Sequence, residues 1–557
     1  MYIKNIRIKN FRGIKDMNWT IKSRLLAIIG PSDSTKTTIL DAIEMVLTPS
    51  WNIPINDYDF FNGQVNNDIV IELTIGEIPK ELLTEEKYGL FVRKFVLEND
   101  IDDEPNEMDE VFLTLRLTIN EFYEESWKVV NNRSDGKEIN YRDRAKLNMG
   151  RVGENFYKDF SLTRNSVLNK YGDDFREIDR IILNISRNNK ENFKLEDENL
   201  KSIVDNIKKA MGEYSIAPKN DFVTRLDIKN SDLNRSNISI YDGEVPIILN
   251  GTGTKRLMSS AMNINQMKNN SIVLMDELEY GLEPYRIRQL LVKLNELSKN
   301  GQVIFTSHSP IVMLEMQCTN ISICRSYQGK TTCLNLEKDF QDIVRSSPEA
   351  LLSKKVIVAE GRTECGILKA LDTYIGKEGN YIEYYGTSFI DGGGKNTTGK
   401  AEKLQKLGYD VLLFIDSDAE DTNKKAEELK EKGVKVVQWG EKNSTEQQIF
   451  MDMPLSSIGK ILQVAIKNKG REAIIAKLKS DMNLDLDKIN EKIEEIGEEH
   501  FRKEIGKSAK SNEWFKNEDI AEKLGEVIFE YYDGIDNDSD IKRVFREIKE
   551  WAYGSSI

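Results

Sequence analysis

The segment Leu25 to Leu47, LLAIIGPSDSTKTTILDAIEMVL, decides the fold of the first half of the chain. It starts with aliphatic residues, as a strand buried on both faces does, and an amphipathic helix begins at Lys36. The loop between them follows the phosphate-binding pattern G-x-x-x-x-G-K-[ST], except that Thr35 stands where the pattern has glycine. The segment therefore predicts a nucleotide site at a helix N-terminus.

In such a loop the backbone N–H groups wrap the phosphates, a lysine reaches the outer phosphates and a hydroxyl holds magnesium. We expect Lys36 to be that lysine and Thr37 to be the magnesium ligand. The expected nucleotide contacts in the loop are Gly30, Ser34, Thr35, Lys36, Thr37 and Thr38. Because Thr35 replaces the glycine that permits close backbone approach, ATP binding is predicted but ATP hydrolysis is left open.

The length of the chain is too great for one core, so we expect two to four domains. Of its 557 residues, 39% are hydrophobic and 31% are charged, and the net charge is −14. No apolar run reaches the roughly 20 residues of a membrane span. The N-terminus, MYIKNIRIKNF, alternates like a strand rather than a secretion signal, so we expect a cytoplasmic protein. The net charge argues against a nonspecific nucleic-acid coat, but it is compatible with a nuclease that has a local basic groove.

The residue types available restrict any metal site to carboxylate ligands. The 4 cysteines form no C-x-x-C pair, and the chain has only 2 histidines, His308 and His500. Carboxylates favour Mg²⁺ or Mn²⁺.

We expect the first domain to span residues 1–345, with a helical arm inserted at about 154–214. An apolar stripe of Ile178, Ile181, Ile182 and Ile185 on this arm suggests either ordinary packing or a dimerisation surface, and both interpretations stay open. Asp57 or Gln64 is a possible magnesium sensor, although ordinary polar loop residues would look the same.

Further motifs of a nucleotide site follow the arm. Asn250, Gly251 and Gly253 form a predicted turn whose backbone amides would cap a terminal phosphate. In the strand pattern SIVLMDELEYGLEP, Asp276 is expected to support magnesium, and Glu277 is expected to orient or deprotonate the attacking water. The strand pattern QVIFTSHSP ends near His308, which is placed to reach a terminal phosphate.

This ordered series resembles the ATP-binding-cassette ATPases of the SMC and RecF type over residues 1 to about 340. Lys36, Gly251, Glu277 and His308 match that pattern, whereas Asn250 stands where the family commonly has serine. The resemblance implies that the glycine turn of one protomer completes the nucleotide site of another. A homodimer or homotetramer follows as an expectation.

A second α/β domain is predicted over residues 346–557, with a helical C-terminal region from about 455. Glu360 ends a buried strand, and Glu364 lies in the first turn of the next helix. Asp416 and Asp418 follow the strand pattern DVLLFI, where residues two apart on an extended chain point the same way. These acids form a candidate metal site, although an exposed acidic turn that includes Asp421 would give the same pattern.

The order of these acids, with the glycine turn Gly392 to Gly394 between them, resembles a Toprim domain, the magnesium-binding fold of topoisomerases, primases and several nucleases. The resemblance makes Glu446 an additional helix-borne acid, which would let the site hold two metal ions. It also implies a lysine that stabilises charge at the cleaved phosphate, and either Lys510 or Lys516 is suitable. Trp514 and Phe515 beside them are either base-stacking or core residues.

The fusion of a cassette ATPase to a Toprim domain resembles the OLD (overcoming lysogenization defect) nucleases, which include the nuclease subunit of the Gabija anti-phage system. This resemblance implies an endonuclease that cuts DNA with Mg²⁺ or Mn²⁺, is regulated by ATP with Mg²⁺ in the head domain, and defends against phage. It also implies a UvrD-like helicase as a partner. Two alternatives remain: a non-catalytic DNA repair clamp of the RecF or SMC type, and a Toprim topoisomerase or RNA-processing nuclease.

Overall fold

The structure, a computed structural model, describes residues 1–50, 52–97, 100–106, 108–153, 159–162, 167–168, 177–182, 197–214, 221–226, 238–266, 271–377, 379–440 and 442–554. The chain divides into two compact units, Met1–Gln341 and Asp342–Ile557. The domain boundary predicted at 345/346 falls within the helix Gln341–Ser346. In the described part of the chain, no helix has both the length and the apolar character needed to cross a bilayer.

A sheet of 12 strands organises the first unit. The predicted strand, loop and helix are confirmed, since the strand Leu25–Ile29 is fully buried and a helix spans Lys36–Leu47. Parallel pairing on both sides of Leu25–Ile29 accounts for its continuous apolar sequence. The strand order across the sheet is Met149–Val152, Ile272–Met275, Gln302–Thr306, Leu25–Ile29, Ile321–Tyr327, Lys330–Asn335, Ile14–Thr20, Tyr2–Phe11, Ile69–Gly76, Phe112–Ile119, Glu125–Asn131 and Ser134–Glu138.

The parallel strands place their carboxyl ends along one edge of the sheet. Ile272–Met275 and Gln302–Thr306 are neighbours in register, and Gln302–Thr306 pairs with Leu25–Ile29. The residues that follow these three strands are therefore brought together, which is where α/β sheets bind ligands. The helices described in this unit include Lys36–Leu47, Tyr141–Arg144, Glu198–Glu213, Thr252–Gln266, Pro284–Ser298 and Pro310–Glu315.

The predicted helical arm is only partly described. Its helix Glu198–Glu213 packs in a core that also contains Ile178 and Ile182, both buried, so intramolecular packing accounts for these two members of the isoleucine stripe. Ile185, like the arm residues at 154–158, 163–166, 169–176 and 183–196, lies outside the described residues. The smaller strands of the unit are Lys94–Leu97, Asp100–Asp102, Phe222–Leu226, Ile238–Asp242 and Val245–Pro246.

The second unit contains a parallel sheet of 4 strands in the order Thr387–Asp391, Lys355–Ala359, Asp410–Ile415 and Lys435–Gln438. Its helices are Gln341–Ser346, Arg362–Gly376, Thr397–Lys406, Glu420–Glu431, Thr445–Asp452, Leu455–Lys469, Arg471–Met482, Ile489–Ile496, Glu498–Ser511, Glu518–Glu530 and Asp540–Tyr553. Arg362–Gly376 and Glu518–Glu530 cross closely, because a Cβ on Gly366 would lie 2.4 Å from the carbonyl oxygen of Glu518. Glycine at position 366 permits this close approach of the two helices.

Candidate functional site

The nucleotide loop, residues 30–37, is closed around its own lysine. Lys36 is buried, and its Nζ donates hydrogen bonds to the carbonyl oxygens of Gly30 and Pro31 at 3.1 and 2.8 Å and to Ser34 Oγ at 3.1 Å. Burial lowers the pKa of Lys36. The lysine is thus positioned inside the loop whose backbone would wrap the phosphates, as the sequence predicts.

The structure brings the predicted magnesium residues into contact. Thr37 Oγ1 donates to Asp276 Oδ1 at 3.2 Å, and Thr306 Oγ1 donates to the same oxygen at 2.6 Å. Arg151, which the sequence analysis missed, lies 3.2 Å from Asp276 Oδ2 and 2.8 Å from Asp41 Oδ1. No local sequence pattern could identify Arg151, because it lies 125 residues before Asp276 in the chain. The two residues come together only because their strands pair in the sheet.

Glu277 follows the buried strand in the left-handed region, with φ of 44°. Its backbone N–H donates to Thr306 Oγ1 at 2.8 Å, and its carbonyl accepts from Arg256 at 3.3 Å. Arg256 is fully buried and also donates to the carbonyls of Asp276 and Gly153. This arginine therefore connects the helix Thr252–Gln266 to Asp276, the predicted magnesium support, and to Glu277, the predicted catalytic acid.

His308 lies close to the nucleotide loop. Burial lowers the pKa of His308, and the positive charge of Lys36 lowers it further. Its backbone N–H is held by the carboxylate of Glu279. His308 thus lies near Lys36, and its contact with a terminal phosphate stays a prediction.

The glycine turn differs in part from the prediction. The helix starts at Thr252, so Gly253 belongs to the helix and only Asn250 and Gly251 precede it. A Cβ on Gly253 would lie 2.2 Å from the carbonyl oxygen of Gly281, and this close approach requires glycine. Gly253 thus packs against a neighbouring loop, and its contact with a phosphate stays a prediction.

The two suggested magnesium sensors are loop residues. Asp57 accepts a hydrogen bond from Tyr123, and Gln64 accepts one from Asn67 at 3.5 Å. Both lie in an exposed loop. Their hydrogen bonds are those of ordinary polar loop residues.

In the second unit, predicted acids and lysines line one open cavity of about 600 Å³, which we call the carboxylate cavity. Glu360 follows the strand Lys355–Ala359, and its Oε2 accepts from the backbone N–H of Asp416 at 2.8 Å. Asp416 Oδ1 accepts from the N–H and the hydroxyl of Thr445 at 2.9 and 2.8 Å. The predicted members of its lining are Glu360, Glu364, Asp416, Glu446, Lys510 and Lys516.

The acids of the carboxylate cavity are close enough to perturb one another. Burial and the charge of Glu446 raise the pKa of Glu364 to about 7. Burial, followed by the charges of Glu364 and Glu360, raises the pKa of Asp416 well above its usual range. Burial also raises the pKa of Glu446. Such a set of desolvated, mutually repelling carboxylates is stabilised by a bound cation.

The donor set fits a hard divalent cation, although the side chains are not in a ligating arrangement. Among the described residues, no group of three or more His, Cys, Asp or Glu side chains is arranged so that it could hold a metal ion. Protein donors occupy their oxygens; for example, Glu364 Oε2 accepts from the backbone N–H of Gly361 at 2.8 Å. Carboxylate oxygens are nevertheless the ligands that Mg²⁺ and Mn²⁺ prefer.

Asp418 departs from the expectation that it points the same way as Asp416. The strand ends at Ile415, so both aspartates follow it and the side-chain alternation of a strand does not apply to them. Asp418 forms an ion pair with Lys510 and does not line the carboxylate cavity, whereas Asp416 does.

The structure separates the two candidate lysines and adds two residues. Lys516 pairs with Glu513 at 2.7 Å, and its charge also acts on Glu446 and Glu364, whereas Lys510 contacts Asp418. Arg362 and Asp391 also line the cavity, with Arg362 Nε 3.6 Å from Asp391 Oδ2. The sequence signals for these two residues were weak, since Arg362 is only the first residue of a helix and Asp391 only precedes a glycine turn.

The two aromatic residues near the lysines belong to the core. Trp514 and Phe515 are completely buried, so neither is available to stack on a base. The nearby Arg502 is also buried and donates to the carbonyls of Phe450 and Met453, both at 2.6 Å. The base-stacking alternative for this segment is therefore wrong.

Two protein families match the chain. Residues 1–313 match the family described as AAA ATPase domain. Residues 351–418 match the family described as Overcoming lysogenization defect protein-like, TOPRIM domain. The predicted order of an ATPase domain followed by a Toprim domain is confirmed by these two matches.

Two curated relatives are similar over parts of the chain. The Old nuclease of Escherichia phage P2 is 27% identical over 146 residues, which are 22% of this chain and 25% of that protein. The Retron Vc95 probable ATPase of Vibrio cholerae serotype O1 biovar El Tor is 23% identical over 387 residues, 58% of this chain and 73% of that protein. The match thus spans about a quarter of the phage protein's length.

Among solved structures, the SMC head domain from Thermotoga maritima is similar, with 18% sequence identity and a TM-score of 0.32. The similarity covers 60% of this chain and 100% of that one. The chain belongs to the AAA ATPase domain family, and its second unit carries a segment that matches the OLD-like Toprim domain.

Proposed function

We propose that this protein is a divalent-metal-dependent DNA endonuclease that is regulated by its ATPase domain and acts in defence against phage. The carboxylate cavity supports this proposal most directly, because four acids converge there beside two lysines in an opening of about 600 Å³. A scaffold protein has no chemical need for such a cluster, since buried carboxylates without a cation cost stability. The names of the nuclease and retron relatives support this assignment.

The residues of the cavity have distinct expected roles. Glu360 and Asp416 would hold the metal ions, with Glu364 and Glu446 completing a carboxylate set for two. When bound, two ions activate water and stabilise the leaving oxygen of a phosphodiester. Lys510 or Lys516 offsets negative charge on the phosphate.

The nucleotide site supplies regulation in this proposal. Lys36 and Thr37 bind the phosphates and magnesium, Asp276 supports the magnesium, and Glu277 orients the water that His308 helps to position. The resemblance to cassette ATPases supports a homodimer or homotetramer in which Asn250 and Gly251 of one protomer meet the nucleotide of another. A UvrD-like helicase partner, as in Gabija, is part of the same proposal.

The test is cleavage of supercoiled and linear DNA with Mg²⁺ or Mn²⁺, with and without ATP. Asp416→Ala is expected to abolish nicks and breaks, whereas Asp421→Ala, which removes an exposed acid of the helix Glu420–Glu431, leaves cleavage intact. Lys36→Ala reports whether ATP gates the reaction.

Three results would contradict the proposal. Equal activity of Asp416→Ala and the unchanged chain would place cleavage elsewhere. ATP-dependent DNA binding without cleavage under any metal condition would favour the repair clamp. A covalent protein–DNA intermediate would favour a topoisomerase.

A further inference from the structure

A second cavity of the Toprim unit, of about 430 Å³, is lined by residues of the helices Thr397–Lys406 and Glu420–Glu431. We call it the lysine groove. Its lysines are Lys395, Lys400, Lys403, Lys425 and Lys432. With three acids in the lining, the groove has an excess of positive charge in a chain whose net charge is −14.

The partners of these lysines determine which charges are available to a ligand. Lys432 pairs with Glu402 at 3.1 Å, so the charge of this lysine is offset within the groove. Lys400 donates to the backbone carbonyl of Asp391 at 2.8 Å, which leaves its positive charge uncompensated. Lys395 and Lys425 are exposed, and within residues 342–377, 379–440 and 442–554 neither forms an ion pair. These three lysines give the groove its anion-binding character.

One short turn forms a wall of both the lysine groove and the carboxylate cavity. Gly393 and Gly394 line the carboxylate cavity, and Lys395, the next residue, lines the groove. The two glycines have φ of 78° and 65°, and a Cβ on either would meet no atom within 4 Å, so the surface of the turn is open. At Gly393 and Gly394 the turn therefore presents no side chain between the carboxylate cavity and the lysine groove.

We propose that the lysine groove binds the phosphodiester backbone of the DNA strand that leaves the carboxylate cavity across Gly393 and Gly394. This proposal rests on the proposed function, since the DNA strand enters from the cleavage site. Lysine ammonium groups attract phosphates of any sequence, so the groove adds affinity and direction rather than sequence specificity. An overall acidic chain needs such a local basic surface to hold DNA.

The floor of the lysine groove permits close approach of a backbone. Gly399 lies on the exposed side of the helix Thr397–Lys406, and a Cβ there would meet no atom within 4 Å. Glycine within a helix is less stable than alanine, and the chain itself does not require it at this position. Gly459, in the helix Leu455–Lys469 outside the groove, is equally exposed and equally free of contacts, which makes it a matched control.

The experiment measures binding of a labelled duplex of about 30 base pairs, with Ca²⁺ in place of Mg²⁺, between about 50 and 200 mM salt. The variant Lys395→Ala/Lys425→Ala is compared with Lys424→Ala/Lys430→Ala, which removes two charges from the helix Glu420–Glu431 outside the groove. The groove variant is expected to bind roughly tenfold more weakly and to lower the slope of log K against log salt by about 2, whereas the control changes neither.

The side chain added to Gly399 provides a second measurement. Gly399→Leu is expected to weaken binding several-fold, whereas Gly459→Leu leaves it unchanged. The proposal would be overturned if the groove and control variants weakened DNA binding equally, or if the groove variants did not weaken it. Cleavage is measured on the same proteins. If the groove variants bind DNA as tightly as the control variants and the unchanged chain cleaves DNA, the groove alone is refuted. If the groove variants bind more weakly and the unchanged chain does not cleave, the groove is supported and the nuclease is refuted.

Discussion

Glu360 Oε2 accepts a 2.8 Å hydrogen bond from the backbone N–H of Asp416. The bond joins the carboxyl ends of two neighbouring parallel strands, Lys355–Ala359 and Asp410–Ile415. Two acids that are 56 residues apart in sequence thus meet at one point because the sheet is parallel.

The first prediction separates the charge of Glu360 from its structural bond. Glu360→Gln keeps a carbonyl oxygen that accepts from Asp416 but removes the negative charge. Cleavage is expected to fall by more than the roughly 10- to 100-fold that loss of an outer-shell metal partner costs. The thermal unfolding midpoint of the Glu360→Gln variant should differ from that of the unchanged chain by less than about 3 °C. A large loss of stability with retained cleavage would contradict the assignment.

The second prediction distinguishes the two lysines by pH. The charge of Lys516 acts on Glu446 and Glu364, so Lys516→Met is expected to raise the pKa values of both acids. Cleavage by this variant should recover as the pH rises, because the acids must be ionised to hold a cation. Lys510 contacts Asp418 instead, so the loss in Lys510→Met should be independent of pH. Parallel pH–rate profiles for the two variants would refute this difference.

The third prediction concerns stability without metal. The pKa of Glu364 is raised from 4.5 to about 7, so the folded state binds this proton more tightly than the unfolded chain. The stability that this proton contributes is complete below pH 4.5 and is lost as the pH rises through about 7. Thermal unfolding in chelator should show this decline, and Glu364→Gln should flatten it. If the stability of the Glu364→Gln variant declined with pH as steeply as that of the unchanged chain, the decline would come from other groups.

The fourth prediction concerns the unusual residue of the nucleotide loop. Thr35 has φ of 63°, and its Cγ2 would lie 2.9 Å from a Cβ on Gly13. Thr35→Gly is expected to stabilise the protein by roughly 1 kcal/mol, since a left-handed conformation strains a β-branched residue. Gly13→Ala should destabilise the unchanged chain but be nearly neutral in the Thr35→Gly background. Additive effects in a double-mutant cycle would show that the two positions do not interact.

The fifth prediction concerns Arg256 as a support of the catalytic acids in the ATPase domain. Arg256→Met removes the donor to the buried carbonyl of Asp276 and one of two donors to the carbonyl of Glu277, which also accepts from the N–H of Tyr280. We expect a loss of about 3 kcal/mol in denaturant unfolding. ATP turnover should fall further than nucleotide binding, because Lys36 is untouched. Arg288→Met, which removes a surface ion pair with Glu315, is the control and should cost under about 1 kcal/mol.

Much of the site could be predicted because its signals are local. A buried strand followed by a phosphate loop identifies Lys36 and Thr37, and an acid at the end of a strand identifies Asp276 and Glu360. These patterns are short because a strand end and a helix start impose their geometry on adjacent residues.

Residues that act across long sequence separations could not be predicted in this way. Arg151 reaches Asp276, and Arg256 reaches the carbonyl of Gly153, only because the sheet and its helices bring distant segments together. The strand end at Ile415 turned Asp418 towards Lys510, which no alternation rule anticipates.

Local signals in the sequence are enough to predict the order of the two domains and most of the candidate site residues, because hydrophobic periodicity and turn chemistry act within a few residues. The tertiary structure is needed to learn which acids share a cavity, which lysine faces which acid, and that a turn of glycines lies between the carboxylate cavity and the lysine groove. Those relationships depend on the packing of helices against a sheet, and packing is set by contacts between residues far apart in the chain.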